Sequence, residues 1–125
     1  MEQLEIQQTA STPLVSFDDS GKTLRIVGES YPENSFAFYT PVLAWLGRYL
    51  QQHAQLTVDI TVTYMNSSSI KCMLDLLDAL EEAFKKGSNV AIIWRHDLEN
   101  PRSFELAEEF CEEVTFPFDI VALSA

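Results

Sequence analysis

A chain of 125 residues, 46% hydrophobic and 22% charged, has the length and balance of one globular domain able to bury its own core. Its net charge of −11, from 19 acidic and 8 basic residues, excludes nucleic acid and anionic membrane as natural partners, because such a surface repels both. No apolar run approaches the roughly 20 residues of a membrane span, and "MEQLEIQQTASTP" lacks the basic start and apolar stretch of a secretion signal, so a cytoplasmic address is expected.

Residues 1–12 are polar and read as a loose arm or an edge strand. "PLVSFDDSGKTLRIVGES" predicts two strands joined by a turn at Asp18, Asp19, Ser20 and Gly21. In the following segment Asn34 or Ser35 caps a helix that ends near His53. Its apolar stripe is Phe36, Tyr39, Leu43, Leu46 and Leu50, widened by Val42 and Tyr49. "LTVDITVTYM" alternates: Leu56, Val58, Ile60, Val62 and Tyr64 face one way, Thr57, Asp59, Thr61 and Thr63 the other. A strand buried on both faces would not alternate, so helices are expected on one face of the sheet only.

The next helix begins within "YMNSSSIK" and buries Ile70, Met73, Leu74, Leu77, Leu80 and Phe84. Glu81–Lys85 and Glu82–Lys86 are favourable pairs along it. Gly87 suits the left-handed position that ends a helix. "NVAIIW" predicts a central strand. Asn100 caps a third helix with Pro101 at its first position, and Phe104, Ala107, Phe110, Cys111 and Val114 trace its apolar side. "FPFDIVAL" is the last strand. The order β-β-β-α-β-α-β-α-β predicts an α/β fold in a single domain over residues 1–125, a mixed sheet with about three helices packed mainly on one face.

Signals for chemistry are sparse. Cys72 and Cys111 fall in helical patterns rather than in C-x-x-C, which argues against a redox pair, a zinc site or a disulfide framework and predicts buried or half-buried free thiols. His53 suits the dipole at a helix C-terminus. His96, in "WRHDLEN" at the end of a strand where α/β folds bind ligands, is a site candidate. Glu108, Glu109, Glu112 and Glu113 read as a solvated helix face. No nucleophile elbow, phosphate-binding glycine loop or dinucleotide fingerprint occurs, and neither the serines nor Arg95-His96-Asp97 carry an oxyanion or base-orienting signature. No catalytic residue, metal or cofactor is expected, and the chain reads as a non-enzyme.

The serine turn stands out. One side chain suffices to cap a helix, yet Asn66, Ser67, Ser68 and Ser69 offer four in a row. Capping and satisfying first-turn amides account for one or two of them. A phosphorylation switch accounts for more. A phosphoryl group at a helix N-terminus meets unpaired N–H groups and the positive dipole end, adds about −1.5 to −2 of charge, and leaves the fold in place.

Strand–Asn-Ser-Ser–helix resembles the phosphorylation turn of STAS-type anti-anti-sigma factors, which usually carry Asp-Ser-Ser. Together with "SYPENSFAFYTPVLAWL", "YMNSSSIKCMLDLLDALEEA", "VAIIWRHDLENPRSFELAEEF" and "PFDIVAL", it makes the chain similar to the SiaC family of bacterial regulatory phosphoproteins, from about Thr12 to the C-terminus. The distinctive feature is the pairing of "YPEN" with "N-S/T-S-S-I-K". The resemblance implies a STAS-like fold and a partner switch. An anti-sigma-type serine/threonine kinase would phosphorylate the first hydroxyl after Asn66, which is Ser67, and a PP2C-like phosphatase would reverse it. Serine stands here where the family has threonine, which keeps Ser68 as an alternative acceptor. The unphosphorylated form would bind and activate a GGDEF diguanylate cyclase, raising cyclic di-GMP and promoting aggregation or biofilm. The alternative effector is a sigma-regulating kinase, which would make the chain an anti-anti-sigma factor acting on transcription. On this reading Ser67 also caps its helix and Asn66 shapes the turn. Tyr31, Pro32, Glu33 and Asn34 precede a helix starting at the same end of the sheet, as partner contacts or simply as a proline turn and cap. Asn66, Ser68, Ser69 and Lys71 complete the expected contact set.

Overall fold

The computed structural model describes residues 3–123. The predicted order holds: β1 (Glu5–Ile6), β2 (Leu14–Asp18), β3 (Thr23–Ser30), α1 (Ser35–Gln52), β4 (Gln55–Met65), α2 (Ser67–Lys85), β5 (Asn89–His96), α3 (Pro101–Glu112) and β6 (Phe118–Ala122). The strands form one sheet in the order β1-β2-β3-β4-β5-β6. β1, β2 and β3 pair antiparallel, and β3 through β6 run parallel.

That order explains where the helices lie. Each parallel step is a strand–helix–strand crossover, and crossovers are right-handed almost without exception. Here all three step in the same direction, so all three helices land on the same face. The covered face is a continuous apolar surface across strands: Leu24 is opposite Val58 and Ile26 opposite Ile60, then Val58 opposite Ile92 and Ile60 opposite Trp94. Phe17 of β2 meets Trp45 of α1 at 4.8 Å, and Trp94 meets Phe110 of α3 at 5.7 Å. The buried rings carry their polar groups to partners, Tyr49 Oη donating to Gln55 O at 2.7 Å and Trp94 Nε1 to Ser103 Oγ at 3.1 Å. On the other face β4 presents Thr57, Asp59 and Thr61, as its alternation predicts, beside the apolar Val27 and Ile93 of its neighbours. There the Arg95 guanidinium is bonded to both Asp59 oxygens, at 3.0 Å from Nε and 3.1 Å from Nη2.

Several details differ from the sequence reading. The hairpin turn is residues 19–22, one position later than expected, with Lys22 in the left-handed region (φ 50°). Phe36 lies on the α1 stripe by spacing but sits in the first turn, 53% exposed, and Trp45 supplies the buried ring instead. α2 buries Cys72, Met73, Leu76, Leu77 and Leu80, while Ile70, Leu74 and Phe84 are half-buried flanks. His53 stacks its ring on Tyr49 at 4.6 Å besides capping α1.

The most consequential difference is in β4. Gly28 pairs with Val62 but Glu29 with Tyr64, so Thr63 is an extra residue opposite no partner. This bulge shifts the phase of the strand. Met65 turns inward at 6% exposure, and Tyr64, expected inside, is 50% exposed. Gly28 faces the bulge at φ 129°, in the range that favours glycine.

Candidate switch site at the serine turn

β3 and β4 are parallel neighbours, so the segments leaving them, 31–34 and 65–67, start side by side. Asn66 N donates to Ser30 O at 3.0 Å, and Asn66 Nδ2 lies 3.4 Å from Pro32 O. Each segment ends in an asparagine cap. Asn34 Oδ1 accepts from Ala37 N at 3.0 Å, and Asn66 Oδ1 from Ser69 N at 2.9 Å. Asn66 is extended (φ −78°, ψ 171°) and Ser67 is the first helical residue, which corrects the expectation that Ser67 is the cap. A cap must sit half outside the helix to fold its side chain back over the amides, and only Asn66 does.

The three serines have three fates. Ser69 is wholly buried; its hydroxyl takes a hydrogen bond from Ser30 Oγ at 2.8 Å and lies 3.1 Å from Ser35 Oγ. Ser30 Oγ in turn lies 2.7 Å from the hydroxyl of Tyr39, whose pKa burial pushes up to about 12. Ser69, expected among the partner contacts, therefore braces the turn from beneath. Ser68 is half-buried, 2.7 Å from Ser35 Oγ and donating to Asn66 Oδ1 at 3.3 Å. Ser67 is exposed, and its hydroxyl has no hydrogen-bond partner among the described residues. Lys71, one turn along α2, is exposed as well. The first turn of α2 holds no acidic residue, so its dipole end is uncompensated.

Around Ser67 the surface is unusually apolar for so acidic a chain. Tyr31, Phe36 and Tyr64 are 42%, 53% and 50% exposed, with the Tyr31 and Tyr64 rings edge to face at 5.8 Å. Leu98, Phe104, Val121 and Leu123 are exposed at the ends of β5 and β6 and in the first turn of α3. Every exposed large hydrophobic among the described residues thus lies at the end of the sheet where the parallel strands stop. Sequence reasoning missed Tyr64 and Phe36 because periodicity assigned both to the core. It missed Ser30, Ser35 and Tyr39 because a hydroxyl network between elements leaves no local pattern.

The other candidates do not assemble into a site. His96 is the last residue of β5, 8% exposed, with its ring 5.1 Å from that of Phe104 and Nδ1 without a hydrogen-bond partner among the described residues. Arg95 points to the polar sheet face, and Asp97 Oδ1 caps its own turn through Glu99 N at 2.9 Å. Glu108, Glu109, Glu112 and Glu113 are exposed, Cys72 is buried and Cys111 half-buried. Among the described residues no three His, Cys, Asp or Glu side chains are placed to hold a metal ion, and no helix is long and apolar enough to cross a membrane.

Comparison with known proteins covers nearly the whole described chain. The model of a family described as SiaC family regulatory phosphoprotein matches residues 6–123. An uncharacterized protein of Pseudomonas aeruginosa is 44% identical over 123 residues, 98% of this chain and 98% of that one. The crystal structure of apo-SiaC from Pseudomonas aeruginosa is similar at a TM-score of 0.92 and 43% identity, over 98% of this chain and 100% of that one. SiaC from the same organism, solved in complex with the diguanylate cyclase SiaD that it activates, is similar at a TM-score of 0.92 and 44% identity, over 96% of this chain and 99% of that one.

Proposed function

Since the chain belongs to the SiaC family of regulatory phosphoproteins, we propose that it is a phosphorylation-gated partner switch acting in the cytoplasm. Its effector is a GGDEF diguanylate cyclase, bound and activated by the unphosphorylated form, as the SiaC of Pseudomonas aeruginosa is the activator of SiaD. An anti-sigma-type serine/threonine kinase phosphorylates Ser67 and releases the cyclase; a PP2C-like phosphatase restores binding. The chain itself catalyses nothing and works by occupancy, raising cyclic di-GMP and favouring biofilm or aggregation while it is dephosphorylated.

The observation that carries this reading is the position of Ser67: the one hydroxyl of the turn that is exposed and unpartnered, on the end of the sheet that holds the exposed aromatics. Tyr31, Pro32, Glu33, Asn34, Asn66, Ser68 and Lys71 lie around it as the contact set, with Tyr64 and Phe36 added. Phosphate on Ser67 is tolerated by the fold, because the first amides of α2 and the Lys71 ammonium four residues on both favour an anion there. It is not tolerated by the interface. A neutral hydroxyl costs far less to bury against an apolar partner than a group carrying about −1.5 to −2 of charge, which must be desolvated. The gate is electrostatic and local, with no change of fold required.

Cyclase activity with purified variants tests it. Ser67→Ala should activate like wild type and resist the kinase, and Ser67→Asp should activate poorly, a carboxylate mimicking phosphate only in part. Activation by Ser67→Asp but not by Ser67→Ala would invert the mechanism.

A further inference from the structure

Ser68 stands next to Ser67 in the same helical turn, yet it is held by a residue from another element. Ser35, the first residue of α1, is 1% exposed, and its hydroxyl lies 2.7 Å from that of Ser68. The Ser68 hydroxyl also donates to Asn66 Oδ1 at 3.3 Å. We propose that Ser35 is the positioning residue that confines phosphorylation to Ser67, by tying the Ser68 hydroxyl inward toward α1. The inference rests on the reading of this turn as a kinase substrate.

The chemistry explains why such a tie matters. In the transfer, the serine oxygen forms a bond to the γ-phosphorus of a nucleoside triphosphate while the bond from that phosphorus to the departing diphosphate breaks. The hydroxyl proton passes to a base on the kinase. The oxygen must therefore offer a lone pair outward and its proton to the kinase. Ser68 Oγ is held between the Ser35 hydroxyl and Asn66 Oδ1, in hydrogen-bond contact with both, so it reacts only after leaving them. Ser69 is excluded more simply, at 0% exposure. Ser67 has no such ties among the described residues. Selection among three adjacent serines is thus made on the substrate, by α1, before any kinase contact.

The experiment uses the full chain, ATP and a kinase first shown to modify the wild-type protein, with phosphopeptide mapping of each product. Wild type should carry phosphate on Ser67, and Ser67→Ala should be nearly unmodified. Adding Ser35→Ala to Ser67→Ala should raise phosphate on Ser68 about fivefold or more, the ratio set by losing one ordinary hydrogen bond. Ser35→Thr in the same background keeps a hydroxyl and should restore the low level. Ser69→Ala disturbs the same buried network but spares the Ser35–Ser68 contact, and should also stay low. Ser35→Cys, matched in size and a weaker donor, is measured alongside in case Ser35→Ala loosens α1, and should likewise release Ser68. Ser68 remaining unmodified in both the Ser35→Ala and Ser35→Cys backgrounds, or modified equally with Ser69→Ala, overturns the role of Ser35 while leaving Ser67 as the acceptor. Phosphate on wild type anywhere but Ser67 defeats the underlying reading and this inference with it.

Discussion

Asn66 and Ser67 are adjacent polar residues with opposite weights in stability. Asn66 caps α2 through Ser69 N, accepts from Ser68 and reaches Pro32 O, so its side chain ties the first turn of α2 to segment 31–34. Asn66→Ala should cost about 0.5–2 kcal/mol, the usual range for a lost cap. Ser67→Ala removes an exposed hydroxyl with no partner among the described residues and should change stability by no more than about 0.5 kcal/mol. Chemical denaturation of the two variants checks this, and a larger loss for Ser67→Ala would return the capping role to Ser67. The sequence leaves the cap between Asn66 and Ser67, and the structure gives it to Asn66. Four consecutive capping types are degenerate in sequence, and the choice among them is made by backbone angles that depend on where β4 ends.

At the scale of the element, α2 is the best test of how helical periodicity translates into burial. Leu76 and Leu77 are both 1% exposed, so replacing either with Ala should cost about 2–5 kcal/mol. Leu74→Ala should cost visibly less, and Lys85→Ala no more than about 0.5 kcal/mol. Equal denaturation midpoints for Leu74→Ala and Leu76→Ala would contradict the buried face described above. The sequence shows that α2 is amphipathic, but Leu74, Leu76 and Leu77 are chemically alike and only packing ranks them.

The same helix carries a contact that no local pattern announces. Glu81 pairs with Lys85 only at 3.9 Å, while its oxygens accept from Thr115 N at 2.7 Å and Thr115 Oγ1 at 2.6 Å. The hydrogen bonds from Thr115 hold its pKa below the ordinary 4.5. A depressed carboxyl pKa contributes stability that is fully present above the unfolded value and lost as pH falls through the folded one. The stability difference between wild type and Glu81→Gln should therefore be widest above about pH 4.5 and shrink on acidification below it. A difference independent of pH, measured by denaturation across that window, would contradict the assignment.

Over the whole molecule, the division of faces was readable from β4 alone, because clean alternation across so long a strand leaves only one side for helices. Sheet order was not readable, since three crossovers allow several arrangements and the decision belongs to packing. The bulge at Thr63 was not readable either, and it turned a residue assigned to the core into an exposed ring beside the serine turn. If the partner docks on that end of the sheet, Tyr64→Ala should weaken cyclase binding by more than about 1 kcal/mol, as aromatic anchors do. Arg25→Ala, exposed on the polar face, should leave affinity unchanged, and calorimetric titration of the two variants decides between the surfaces. Because β3, β4 and β5 run parallel, segments 31–34, 65–67 and 97–100, far apart in the chain, arrive at one rim. That rim is a discontinuous epitope. No linear peptide cut from this sequence reproduces it, so any binder that recognises the rim as a whole reports at the same time that the chain is folded.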